Sequence, residues 1–556
     1  MRKVMSLLLS GAAAMLVAAC SSEPEESEPA VPLYDNLGDY HHEITTASDR
    51  AQQYFDQGLR LSYAFNHAEA IRSFQQAAEL DPGCAMCYWG VAFALGPNIN
   101  APITEDAAKE AWEAIGQART RASNASDRER AYIDALARRY TVDPKAARPA
   151  LDGAYAEAMR DVMRRFPDDL DAATLFAQSL MDTSPWNYWD LQGNPRPFTN
   201  EVVGTLESVL ARQADHAGAI HLYIHAVEAS PNPARAAQYA DKLPALVPGA
   251  GHLVHMPAHI YLRVGRFSEA SKANEDAIKV DTAYLAGDAA PNNMTYQIGY
   301  YPHNMHLLVT AASMEGRRAE ALKAAEDVRA RMHGDMLQDP GMGGMVQHMN
   351  MTPLLTKVRF GLWDQVLAEP APADGLPYMQ AIWHATRGLA YGAQGNLREA
   401  QVEQAAVVAL KDDESLKTLG ISSVNFASAI VAIASDVLAG DLAMRQRRGA
   451  EAARHFASAV AREDSLIYME PPDWPIPVRQ LQGAAMLELG RLREAEAAFR
   501  DDMKKFPENG WSLSGLLASL QRQGRQGEAA TVQTRLDQAW RNADTVVSAA
   551  QPRGAR

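Results

Sequence analysis

Gly490-Arg491-Leu492-Arg493-Glu494-Ala495 and Gly524-Arg525-Gln526-Gly527-Glu528-Ala529 are two copies of one string, and their glycines stand 34 residues apart. Three earlier copies occur at Gly265–Ala270, Gly316–Ala321 and Gly395–Ala400, and Asn66-His67-Ala68-Glu69-Ala70 is a looser sixth. Each copy marks the bend of a helical hairpin. Gly or Asn ends one helix in the left-handed conformation, and the small Ala lets the next helix pack closely on the first. A period of this length, repeated along a chain, predicts stacked helix pairs.

Two units are complete in the sequence. In 51–84, Tyr54, Gly58 and Leu61 mark a first helix, Ala70, Phe74 and Ala77 a second, and Pro82 ends it; 476–509 repeats this with Gly483, Ala495, Phe499 and Pro507. Less regular units fit at 217–250, 251–284, 302–335, 381–414, 433–466 and 510–543. Loops are expected at 96–102 and 184–189, where Gly, Pro, Asn and Trp interrupt the helical pattern. One hairpin cannot bury its apolar face, whereas a stack can. The predicted fold is all-α: a right-handed superhelical solenoid of tetratricopeptide-type hairpins with inserted loops and a concave inner surface. It divides into an N-terminal region with insertions (39–200), a central His-rich region (201–360), a C-terminal region (361–545) and a tail (546–556).

The N-terminus predicts export. Arg2 and Lys3 precede an apolar stretch, Met5 to Val17, that is too short for a stable membrane span, and Val17-Ala18-Ala19-Cys20 resembles a bacterial lipobox. Residues 1–19 read as a lipoprotein signal peptide, Cys20 as the lipidated residue and 20–38 as an acidic, Pro/Ser-rich tether. Ser21 and Ser22 favour the outer membrane, with the chain facing the periplasm and anchored through lipid. No later run is expected to cross a bilayer. A net charge of −15 argues against nucleic acid. Cys84 and Cys87 form a C-x-x-C pair without a following His, which excludes the c-type haem signature and leaves a local disulfide or two small buried helix residues.

A resemblance rests on Tyr54-Phe55-Asp56-Gln57-Gly58-Leu59, Phe65-Asn66-His67, Gly96-Pro97-Asn98, the stretch 251–261 (GHLVHMPAHIY), Tyr301-Pro302-His303-Asn304, Glu470-Pro471-Pro472 and Asn509-Gly510-Trp511. On these stretches the chain resembles a group of bacterial tetratricopeptide-repeat lipoproteins. The resemblance implies the fold and carries no activity.

Histidine is the candidate chemistry. Eight of the 15 histidines fall between His216 and His306. His221, His225 and Glu228 share one helical face, as do His252, His255 and His259, and as do His303 and His306. The repeat register puts these eight residues on first helices, at the places that line the concave groove. Neutral imidazoles at this density suit a borderline ion such as Zn, Cu or Fe. The glutamate follows the second His by three residues, so the H-E-x-x-H arrangement is not reproduced. Three functions stay open: a scaffold that binds a transition metal, a metal-free groove for a peptide or protein partner, and a metal-dependent hydrolase or oxidase with Glu228 as base. Downstream, Met332, Met336, Met342, Met345, Met349 and Met351, with His333 and His348, form a second candidate for copper or an apolar core stripe. Trp186, Trp189, Trp474 and Trp511 are read as inter-repeat anchors. No phosphate loop, nucleophile elbow or dinucleotide fingerprint is present.

Overall fold

The computed structural model describes residues 31–287, 293–332 and 334–545, so Cys20, the expected signal peptide, most of the tether, His333 and the tail lie outside the described residues. The described chain is an all-α solenoid whose extended backbone amounts to three isolated bridges. Both complete units form as the pattern predicts, with paired helices Asp49–Tyr63 and His67–Leu80, and Val478–Glu488 and Leu492–Lys505. Gly265, Gly316, Gly395, Gly490 and Gly524 have φ between 73° and 83°, the left-handed bend assigned to the repeat string. The looser copy differs. Asn66 keeps φ at −85° as the N-cap, and Phe65 takes the left-handed position with φ 55°.

Packing explains the repeat glycines inside helices. A Cβ on Gly483 or on Gly515 would lie 2.6 or 2.2 Å from the Phe499 ring, so this ring is held between two first helices that approach at backbone distance. Phe74 sits between Gly58 and Gly90 in the same way. Both rings are buried.

The central units are the irregular ones. After Ala217–Val227 the expected second helix is broken into the short pieces Pro233–Ala236, Ala237–Ala240 and Leu243–Leu246. The following first helix divides at Met256 into Gly251–His255 and Pro257–Val264, because Pro257 has no N–H to donate back into the ladder. Tyr296–Tyr300 is a π-turn leading into Tyr301–Met314.

The solenoid also closes upon itself. Trp511 Nε1 donates to the Ser313 carbonyl at 2.7 Å, and Trp540 Nε1 to that of Met314 at 3.1 Å. At the other end, the amide of Gly249 donates to the carbonyl of Asn36 at 2.7 Å. One apolar core runs from Leu37 to Tyr300 without a break near 200, and a second runs from Met351 to Val532. A smaller cluster joins Ala258 and Leu307 to Trp511.

One sequence expectation needs adjustment, and one open alternative is decided. The helix Ala427–Arg445 is long and apolar enough to cross a membrane, contrary to the reading that no later run is, but 67% of its apolar window is buried inside the protein. It packs as a core helix. The methionine stripe is also core. Met305, Met332, Val346 and Met349 are buried against Tyr301, with Met336, Met342 and Met345 packed around them. Cys84 and Cys87 are joined by a disulfide, buried at the start of Ala85–Ala94.

Candidate metal centre

Three first helices bring six imidazoles together. Ala217–Val227 carries His221 and His225, the kinked pair Gly251–His255 and Pro257–Val264 carries His252, His255 and His259, and Tyr301–Met314 carries His303. The rings form a continuous array. Centroids are 4.9 Å apart for His221–His225 and His221–His252, 4.8 Å for His255–His259 and His255–His303, and 5.5 Å for His225–His259. Within each of the trios His221–His225–His252 and His255–His259–His303, one ring nitrogen per residue lies within 4.8 Å of the other two.

His306 does not join them. It lies one turn further along its helix, with Nε2 3.4 Å from Thr352 Oγ1 and its ring 5.9 Å from His348. His216 caps Ala217–Val227, where Nδ1 accepts from the Ala219 amide.

The outer nitrogens of four rings are fixed. His221 Nδ1 donates to the Tyr63 carbonyl at 2.6 Å, His225 Nδ1 to Glu228 Oε1 at 2.7 Å, and His259 Nδ1 to Glu228 Oε2 at 2.6 Å. His255 Nδ1 donates to Asn274 Oδ1 at 2.7 Å, and the Asn274 amide group is itself oriented by donation to the Ala270 carbonyl. A neutral imidazole that donates through Nδ1, as in His221, His225 and His255, carries its lone pair on Nε2. The inward atoms then face one another, His221 Nε2 to His252 Nε2 at 3.1 Å and His255 Nε2 to His259 Nε2 at 2.9 Å. His225 Nε2 and His252 Nδ1 have no hydrogen-bond partner among the described residues although both are buried.

Electrostatics follow from this enclosure. Burial and neighbouring imidazoles push His221, His252 and His255 well below the ordinary histidine range, and burial takes His303 down to about 3. Burial likewise lowers His225, against the opposing pull of Glu228. His259 is the exception, because Glu228 and Glu470 together outweigh burial and raise it to about 10. Glu228 is correspondingly held low by His259 and His225 in spite of burial. Burial raises Glu470, whose Oε2 is 3.4 Å from His259 Nδ1 and whose Oε1 accepts from Tyr468.

The array is enclosed, a point on which the repeat register of the histidines is silent. His221, His225, Glu228, His252, His255 and His259 are each at most 2% exposed, and His303 is half-buried. Aromatic rings form the walls. Phe65 lies 4.4 Å from His221 and 5.7 Å from His252, Trp186 lies 5.2 Å from His225, and Tyr300 lies 4.6 Å from His252. Phe65 and Trp186 both have left-handed φ, 55° and 61°, a costly state for a bulky residue that persists where the surroundings impose it. Trp186 and its neighbours belong to the inserted loop expected at 184–189, and Trp189 Nε1 ties that loop to the Ala226 carbonyl at 2.8 Å. Spacing along the chain marked the histidines and Glu228. It gave no role to Asn274, Phe65, Tyr468 or Glu470, which come from second helices, a hairpin bend and a loop more than 200 residues away.

A second polar cluster serves the N-terminal segment. Buried Asp171 accepts from Tyr40 at 2.8 Å, from His42 Nδ1 at 2.6 Å and from Tyr63, with His216 Nε2 at 3.3 Å. The carboxylate has its donors already, so the cluster clamps residues 40–42 to the solenoid.

No family model and no curated protein matches the chain. Solved structures with which it aligns include the human IFIT1 dimer with m7Gppp-AAAA, at 11% identity over 90% of this chain and 92% of that one with a TM-score of 0.31. Yeast Tom70 aligns at 9% identity over 86% and 90% with a TM-score of 0.27. The TPR domain of P58(IPK) aligns at 13% identity over 86% and 99% with a TM-score of 0.22.

Proposed function

We propose that this protein is a metal-binding scaffold whose enclosed chamber holds two transition-metal ions, one on His221, His225 and His252 and one on His255, His259 and His303. One observation carries this reading. Four of the six rings have Nδ1 tied to an outer acceptor, and the Nε2 atoms so released converge on one interior. Histidines that ligate metal are held in this way, through a carboxylate or carbonyl that fixes tautomer and ring orientation. Nε2 atoms opposed at 3.1 and 2.9 Å need a proton or a cation between them, and imidazole sets of this kind suit Zn, Cu or Fe.

A peptide groove on the same histidines is disfavoured by their burial. A protein partner would have to use other solenoid surfaces. The lipobox and acidic tether support attachment of the scaffold to the cell envelope through Cys20, testable by lipid labelling of the wild type and of Cys20→Ala.

The test is to strip the protein with chelator, reload it with Zn²⁺ or Co²⁺, dialyse it and measure metal by elemental analysis. About two tightly held ions per chain are expected if each trio supplies the protein ligands of one site. Less than one ion per chain in a folded sample would overturn the proposal, as would unchanged stoichiometry in His225→Ala/His255→Ala.

A further inference from the structure

One turn beyond His303, the same face of Tyr301–Met314 borders a second cavity, of about 20 Å³, whose largely apolar lining carries the polar groups of His306, Thr310, Ser313, His348, Thr352 and Arg359. Arg359 is its only charged lining residue. The side chain is 7% exposed, its Nε has no hydrogen-bond partner among the described residues, and no carboxylate lies within 4.0 Å of it there. Its guanidinium stacks on the Trp511 ring at 4.0 Å and donates through Nη1 to Gln480 Oε1 at 2.6 Å. The nearest acid beyond is Asp502, which Gln480 reaches at 2.9 Å. Buried Arg139 and half-buried Arg445 show what this site lacks. Arg139 faces Asp152 and Asp182 at 3.0 and 2.8 Å, and Arg445 chelates Asp441.

A buried cation without a directly paired anion is strongly disfavoured. Burial lowers the Arg359 guanidinium to about 9, which still leaves it charged at neutral pH. Among the remaining walls, largely apolar, His306, His348 and Thr352 offer hydrogen-bonding groups. His348 shares Nδ1 with the Tyr378 hydroxyl at 2.6 Å, which leaves Nε2 for other partners, and His306 Nε2 lies 3.4 Å from Thr352 Oγ1. Water fills a polar cavity of about 10–15 Å³ in this measure but brings no charge. The volume here exceeds one water and falls short of an ester or nucleotide.

We propose that the cavity at Arg359 binds one small free anion, of halide or formate size, between the guanidinium and the His306, His348 and Thr352 side chains. The site is separate from the six-histidine chamber, although His303 and His306 are one turn apart on the helix that borders both. It does not depend on the chamber holding metal.

The test uses the metal-stripped full chain in gluconate buffer at constant ionic strength, with bromide, formate and phosphate as probes. Bromide and formate are expected to raise the unfolding temperature along a saturating curve, and phosphate is not, because ligand held only by the folded state stabilises it. A crystal soaked in bromide should show an anomalous peak beside Arg359. Thr352→Val should weaken the apparent bromide affinity at least 10-fold, and Arg359→Met should abolish saturation. If Arg359→Met does not fold, the Thr352→Val titration and the anomalous peak decide. A linear, unsaturable response in the wild type, an equal response in folded Arg359→Met, an unchanged affinity in Thr352→Val, or no peak at Arg359 overturns the proposal.

Discussion

Glu228 Oε2 and His259 Nδ1 meet at 2.6 Å although 31 residues separate them in the chain. The other oxygen of the same carboxylate takes His225 at 2.7 Å. One buried acid therefore fixes the tautomers of two imidazoles, one in each trio, and links two repeats.

Replacing that carboxylate by an amide removes one of two acceptors. In Glu228→Gln, the amide nitrogen must face His225 or His259, which turns that ring into an Nδ1 acceptor and puts its proton on Nε2, inside the chamber. Metal affinity is expected to fall 10- to 100-fold, the effect usual for losing an orienting partner. Competition with a fluorescent zinc chelator measures it, and an affinity within twofold of wild type would remove Glu228 from this role.

Phe65 combines a wall position with a strained backbone. Phe65→Ala and Phe65→Gly both delete the ring over His221 and His252, so both should let a chelator remove metal faster than from wild type, by about tenfold or more. Only glycine also relieves φ 55°, and it should be more stable than the alanine variant by about 1 kcal/mol. Urea midpoints of the two variants separate ring loss from backbone relief.

Arg139 carries a second buried ion cluster. Its Nε and Nη2 serve Asp152 and Asp182, and both Arg139 and Asp182 have side chains 1% exposed. Burial already raises Asp182 to about 6 even with the guanidinium present. Arg139→Met leaves that acid buried without a counter-charge, and a loss of about 3–5 kcal/mol is expected in chemical denaturation. A loss under 1 kcal/mol, read from the same midpoint, would show that Asp182 escapes as a neutral acid.

The clamp on the N-terminal segment predicts a pH slope. Burial opposes the charge on His42, but Asp171 overrides it and raises the folded-state value above the ordinary 6.5. A raised value means that the folded chain holds the proton more tightly than the unfolded chain. The contribution is then fully present below about pH 6.5 and is lost as pH rises through the folded-state value. Asp171, held well below 3.8 by His42 and His216 against its burial, contributes at all pH values above its unfolded range and fails only in strong acid. His42→Gln should therefore cost more stability at pH 5.5 than at pH 9, measured as the difference in denaturation midpoint from wild type. An equal cost at both pH values would place His42 outside this linkage.

Much of the molecule was legible in the sequence for a local reason. Helical hairpins are short-range objects, and Gly490, Gly524, Phe499 and their counterparts report a bend or a close approach within one or two repeats. Helical spacing put His221, His225 and Glu228 on one face, and the repeat register related that face to those of His252 and His303. The same logic misplaced His306, because a shared helix face does not say which of two chambers a residue enters. The hydropathy reading also passed over Ala427–Arg445, which has the length and apolarity of a span yet packs as a core helix.

The sequence by itself determined a solenoid of helix pairs and the concentration of histidine on three neighbouring helices, because each depends on spacing within a few turns, whereas it left the state of Cys84 and Cys87 open. Tertiary structure alone decided that the histidines are enclosed. That enclosure comes from Phe65, Trp186, Tyr300, Tyr468 and Glu470, which reach the same chamber from separate parts of the chain. No periodicity encodes such an approach, because it arises where the winding of the solenoid and its inserted loops bring distant segments over one another.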